Sequence, residues 1–303
     1  CNWHSIHLHI ANAALVAPVT SCIPLRDKSM LKQRVLTAIP LAAIVFAVII
    51  FLDTRYVAYL FALVLGISVL ELGQLTRIKP PVLRGIIAFL VVAAFLLLWP
   101  EIDQISMSYH AYIGLGLWLV VLLYLLAYRF SGNWSQGKHA LVGLILLLLL
   151  WVCIQGLVFT HAYFAHGGWL LMYLLSLVWV AEIGAYFSGK RFGAHKLAPA
   201  ISPGKTWEGV AGGLLLNALW ISLVFGLTSG WGLDYVPFLL LGLLTSALSI
   251  VGDLFESVLK REAGVKDSGR LLPGHGGILD RIDSVIAATP VYLAGLYVLG
   301  MVA

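Results

Sequence analysis

Ser246–Asp283 reads SALSIVGDLFESVLKREAGVKDSGRLLPGHGGILDRID, and its change of character partway along decides how the rest of the chain is read. The first part is apolar apart from Ser249, Asp253, Glu256, Ser257 and Lys260, which recur at the spacing of one helical face. From Lys260 to Asp283 come nine charged side chains, five of the chain's 19 basic residues and four of its 14 acidic ones. An apolar helix carrying a polar stripe thus runs out into a dense patch of charge.

Outward from that stretch the chain is 61% hydrophobic and only 11% charged, whereas soluble domains carry about 25% charged residues. It reads as an all-α integral membrane protein. Crossing a bilayer takes about 20 mostly apolar residues in a helix, and nine stretches qualify: 35–52, 56–74, 83–99, 111–128, 140–160, 169–188, 209–227, 236–258 and 284–302. Helices are required because lipid leaves no partner for open sheet edges. All but one of the 19 Lys and Arg residues fall before the first span or in alternate gaps, Arg55 being the exception. By the positive-inside rule that side is cytoplasmic, which places the N-terminus inside and any chemistry at the cytoplasmic face.

Other features bound the reading. The net charge of +5 is that of cytoplasmic loops and does not point to nucleic acid. Cys1, Cys22 and Cys153 are too scattered for a disulfide framework or a thiolate metal site. Residues 1–29 lack a basic n-region and a clean apolar run, while Met30 precedes LKQR and a long apolar run. The expectation is an upstream or non-native extension over 1–29 and a single polytopic domain over 30–303. His161 and His166 fall on the outer side and read as interfacial. Pro40 and Pro290 sit inside spans, where kinks are tolerated.

Ionisable groups inside a span face protein or a watery cavity by default, which singles out Asp253. The segment after it suits an anionic, metal-bound substrate. Lys260, Arg261, Lys266 and Arg270 can neutralise phosphates. Gly269, Gly274, Gly276 and Gly277 let backbone N–H groups approach an anion. Asp267, Asp280 and Asp283, read as lying in the loop, are hard oxygen donors suited to Mg²⁺. A plain headgroup-binding basic loop would need the cations but not the aspartates. The second polar segment, AEIGAYFSGKRFGAHKLAPAISPGKTWEG, contributes Lys190, Arg191, Lys196, Ser202, Lys205 and Thr206. Its GKT is no P-loop, because Pro199 stands where that motif needs glycine and no strand precedes it. Glu182 reads either as a ligand or as a paired structural carboxylate, and Glu71 as either structural or catalytic.

The run SVLKREAGVKDSGRLLPGHGGILDRID, Ser257–Asp283, resembles the signature of the phosphatidate cytidylyltransferases, or CDP-diacylglycerol synthases, and KLAPAISPGKTWEG, Lys196–Gly209, resembles their second hallmark. The likeness extends from Met30 to the C-terminus and is to the bacterial branch. One departure is Glu182, where the family commonly has Asp in A-D-x-G-A-Y.

The resemblance implies an inner-membrane enzyme that converts CTP and phosphatidate to CDP-diacylglycerol and pyrophosphate with Mg²⁺, leaving room for a second, monovalent cation and for a homodimer. Asp253 and Asp280 would hold the metal, with Asp283, Asp267 and Glu182 as further candidates. Lys205, Lys260, Arg261, Lys266 and Arg281 would hold the phosphates, assisted by Ser202, Thr206, Ser257, Gly276 and Gly277. A phosphomonoester, with a second pKa near ~6, is already mostly ionised at neutral pH. His275 is therefore expected to donate a hydrogen bond or shape its loop, not to act as an essential base. The alternatives are a CTP-dependent polyprenol-type lipid kinase and, in another class, a membrane transporter, which would show paired repeats and midplane breaks.

Overall fold

The computed structural model describes residues 27–128, 136–271 and 276–301. Most of the extension expected over 1–29, together with Gly274 and His275, lies outside the described residues. Among the described residues nine α-helices follow one another: α1 (Asp27–Phe51), α2 (Thr54–Leu75), α3 (Pro81–Leu98), α4 (Gln104–Tyr128), α5 (Gln136–Tyr163), α6 (Gly167–Phe192), α7 (Trp207–Thr228), α8 (Tyr235–Ala263) and α9 (Leu279–Val298). Each covers most or all of one expected span, the expected ends 52, 99 and 302 lying beyond the ends of α1, α3 and α9. Several run further because helical hydrogen bonding continues past the apolar stretch into polar end turns. Among the described residues seven helices, α2 to α8, are long and apolar enough to cross a membrane.

The fold departs from the sequence reading in two places. Part of the polar segment after α6 is a β-hairpin, β1 (Lys196–Ala198) paired antiparallel with β2 (Ser202–Thr206). Its tip residue Ile201 is buried, and Glu208 closes its base by accepting from the backbone N–H of Ala194 and His195 and pairing with His195 Nδ1 at 2.6 Å. The other departure is that Asp280, Arg281 and Asp283 sit in the first turns of α9, not in a loop. Helix N-termini favour nearby carboxylates, and this one has them.

α9 is the least lipid-like helix and the central one. Asp283 to Pro290 are buried without a break, as are Tyr292, Leu293, Ala294 and Leu296, and α9 packs on α2, α4, α5, α6 and α8. A helix enclosed by protein can carry Ser284, Thr289 and Asp283, because its neighbours supply the hydrogen bonds lipid lacks. α3 is the opposite case, with only Ala88 and Phe95 buried. Small residues set the closest approaches. A Cβ on Gly213 of α7 would stand 2.7 Å from the Ala181 carbonyl oxygen of α6, and one on Gly252 of α8 would stand 2.9 Å from Ala287 Cβ of α9. Such contacts let packing hold helices together where lipid offers no hydrophobic drive.

At the end of the bundle away from the charged segments, His161 joins α5 to the α1–α2 link. Its Nδ1 is 2.9 Å from Thr54 Oγ1 and its Nε2 is 2.9 Å from the Ile49 carbonyl oxygen. A neutral imidazole that accepts at one nitrogen and donates at the other satisfies both contacts.

Candidate active site

The charged end of the bundle is organised around Lys260 in the last turns of α8. Its Nζ lies 2.5 Å from Glu256 Oε2, one turn back, and 2.7 Å from Asp280 Oδ1 on α9. The three side chains are largely withdrawn from water, at 13%, 3% and 5% exposure, and the one ammonium is shared between two carboxylates. The other oxygen of Asp280 accepts from the backbone N–H of Ser268 and of Gly277, both at 2.8 Å. Asp280 therefore ties the α8–α9 loop to Lys260. Gly276 makes room for this: its φ is +82°, and a Cβ there would lie 2.6 Å from Asp280 Oδ2.

Glu71, at the end of α2, completes the brace. Its buried carboxylate accepts from Leu279 N–H at 2.8 Å, Ile278 N–H at 3.1 Å and Ser268 Oγ at 2.9 Å. Two of these donors are free N–H groups at the start of α9, which a helix cannot satisfy internally. The side chain that caps α9 thus comes from a helix more than 200 positions earlier in the chain. Of the two readings the sequence allows for Glu71, the contacts are those of a structural carboxylate. Ser268 was not singled out by the sequence reading, and only its place in a D-S-G turn hinted at it.

A second cluster opens beside the first. Asp253, one turn deeper on α8, pairs with Lys205 of β2 at 2.5 Å, with the side chains 34% and 23% exposed. Glu182 of α6 is accessible, yet it lies within electrostatic reach of Asp253, Asp283 and Arg281 and close to Ser284. Asp283 is buried, accepts from Ser284 N–H and lies within hydrogen-bonding reach of the Glu256 carboxyl. Three helices and the hairpin therefore bring Glu182, Lys205, Asp253, Glu256, Arg281 and Asp283 into one cluster.

Other candidates are placed differently. Arg261 donates through Nε to the Ile201 carbonyl at 3.1 Å, docking the hairpin on α8. Thr206 is buried and caps α7, its hydroxyl oxygen accepting from Gly209 N–H at 3.1 Å. Ser257 is buried, Ser202 is half-buried, and Lys266, Asp267 and Arg270 are exposed. Among the described residues no three His, Cys, Asp or Glu side chains form a ready-made metal site. The donor chemistry nonetheless suits Mg²⁺, because hard carboxylates from three helices lie within electrostatic reach of one another and Mg²⁺ is typically held by one or two carboxylates plus substrate phosphates.

Comparison with known proteins sets the class. The chain belongs to the cytidylyltransferase family, whose model matches residues 32–299, and it is accordingly a nucleotidyltransferase built into a membrane helix bundle. It is similar to the phosphatidate cytidylyltransferase of Haemophilus influenzae, 39% identical over 282 residues, covering 87% of this chain and 97% of the relative. It is likewise similar to the proteins of that name from Pseudomonas aeruginosa, 41% identical over 276 residues (89% and 98% covered), and Bacillus subtilis, 35% identical over 264 residues (86% and 95% covered).

Proposed function

We propose that this chain transfers the cytidylyl group of CTP to phosphatidate, releasing pyrophosphate and leaving CDP-diacylglycerol in the cytoplasmic leaflet of a bacterial inner membrane. The observation that carries this reading is the convergence of Glu182, Asp253 and Asp283 with Lys205 and Arg281 in one cluster at the basic end of the bundle, together with similarity to phosphatidate cytidylyltransferases over nearly their full length. The distribution of Lys and Arg supports a cytoplasmic orientation for that end.

The lipid phosphate, already ionised, attacks the α-phosphorus of CTP, a P–O bond forms, and the bond to the β-phosphate oxygen breaks to release pyrophosphate. The protein has to hold two mutually repelling anions in line and stabilise charge on the phosphorus and the leaving group. Lys205, on the hairpin beside Asp253, and Arg281, on α9 within electrostatic reach of Glu182, would hold the two phosphate-bearing substrates. Lys266 and the Gly276–Gly277 backbone would extend the cradle, while Lys260 and Arg261 keep its walls in register. Asp253, Asp280, Asp283 and Glu182 would hold Mg²⁺, which when bound supplies neutralisation of phosphate charge. Asp267, exposed on the loop, is a further donor.

The test is to incubate the purified protein with phosphatidate, Mg²⁺ and CTP labelled at the α- or the γ-phosphorus, alongside an Asp253→Asn variant. Label in the organic phase from α-labelled CTP only, lost in the folded variant and on chelation, is the expected result. Lipid label from γ-labelled CTP with an alcohol acceptor would instead establish a kinase.

A further inference from the structure

A second cleft opens at the same end of the bundle, on its α2–α3–α5 side. It encloses about 540 Å³ between the end of α2, the α2–α3 link and the first turns of α3 and α5, a volume typical of small-molecule sites. Its lining has two parts. One is apolar and runs along the helices, including Leu72, Ile87, Leu144 and Leu147; the other is a basic mouth of Arg77, Lys79, Arg84 and His139 with no acidic residue in it.

Arg84 gives the mouth its direction. Its aliphatic stem lies flat on α2 at Gly73, where a Cβ would stand 2.9 Å from Arg84 Cγ. The side chain is half-buried, and among the described residues neither it nor Lys79 has a carboxylate partner. A half-buried guanidinium without a counter-ion calls for an anion. Arg77 holds a left-handed backbone conformation, φ +59°, that non-glycine residues seldom adopt, and it donates to the Glu262 carbonyl at 2.9 Å. The mouth is thereby fixed against the end of α8.

We propose that this cleft binds an anionic glycerophospholipid, its phosphate against Arg84 and Lys79 and its acyl chains along the Ile87, Leu144 and Leu147 wall. A free phosphate would use the mouth but leave the apolar wall empty, whereas a headgroup at the membrane interface uses both, as basic pockets between spanning helices do. Its lining shares no residue with the carboxylate cluster, and the proposal does not depend on the reaction proposed there.

The test is native mass spectrometry of detergent-purified protein titrated with phosphatidylglycerol, which is anionic but has no phosphomonoester to react. At roughly fivefold per interfacial cation, R84Q/K79Q should weaken the first binding event by about 30-fold, with phosphatidylcholine binding unchanged and α-label transfer from CTP at the wild-type rate. K79Q alone, on the exposed link, should weaken it by about fivefold and serves if the double variant does not fold. Equal phosphatidylglycerol affinity in variant and wild type overturns the proposal. So does complete displacement of phosphatidylglycerol by excess inorganic phosphate, which would make the site one for free phosphate. Loss of label transfer in the wild type with the binding difference intact would refute only the proposed reaction.

Discussion

Replacing Glu71 with Gln isolates the brace between α2 and α9. The carboxylate serves three donors at 2.8–3.1 Å, the N–H groups of Ile278 and Leu279 and the Ser268 hydroxyl. Gln is nearly the same size but offers one acceptor oxygen, and its NH₂ would face donors. At least one buried donor loses its partner, at about 1–3 kcal/mol, and a carboxylate leaves a helix N-terminus, at about 0.3–1 kcal/mol. The sum is roughly 1–4 kcal/mol, which for a chain of this size, at about 2 °C per kcal/mol, corresponds to a drop in Tm of roughly 2–8 °C. Thermal unfolding of the detergent-purified protein measures it. Because the lost contacts fix Ser268 and the start of α9, kcat should fall by about an order of magnitude with little change in KM. An unchanged Tm would refute the bracing role. Complete loss of kcat at an unchanged Tm would do so too, since it would mean that Glu71 touches substrate.

Three further substitutions probe other parts of the argument. Lys260→Met leaves Glu256 and Asp280 buried without their cation, and should destabilise by about 3–5 kcal/mol and abolish label transfer, as thermal unfolding and the α-label assay would read. Gly276→Val puts a β-branched residue at φ +82° with its Cβ crowding Asp280 Oδ2; strain of about 1–3 kcal/mol confined to the loop should cut turnover at least tenfold while circular dichroism shows the helices intact. His161→Phe removes the contacts to Thr54 and Ile49. It should cost about 1–3 kcal/mol, visible as a lower Tm, with kcat and KM for CTP unchanged, because this tie lies at the opposite end from the cleft.

Much of the site was legible in the sequence for local reasons. Asp253, Glu256 and Lys260 share a helical face, so their spacing alone announced a polar stripe, and the structure joins Glu256 to Lys260 along it. Charge confined to alternate gaps located the end at which the candidate residues gather. The hairpin was not legible, because its strands of three and five residues are too short for a periodic signal and are held by Glu208 and Arg261 from outside. The first turns of α9 read as loop because their charges mask the apolar pattern, and helix formation there relies on caps supplied by Glu71 and Asp280.

Hydropathy and charge along the chain, by themselves, determined that this is a helical membrane protein, where its helices lie to within several residues, and which end carries the charged segments. Those properties follow from the cost of exposing charge and unpaired backbone to lipid, which acts on each segment independently of the others. Tertiary structure alone decided that α9 is the central helix, that Glu71 caps it, that Lys205 meets Asp253, and that Glu182 reaches the carboxylates of α8 and α9. Each of those depends on which buried donor finds which acceptor across large separations in sequence, and local spacing carries no record of that pairing.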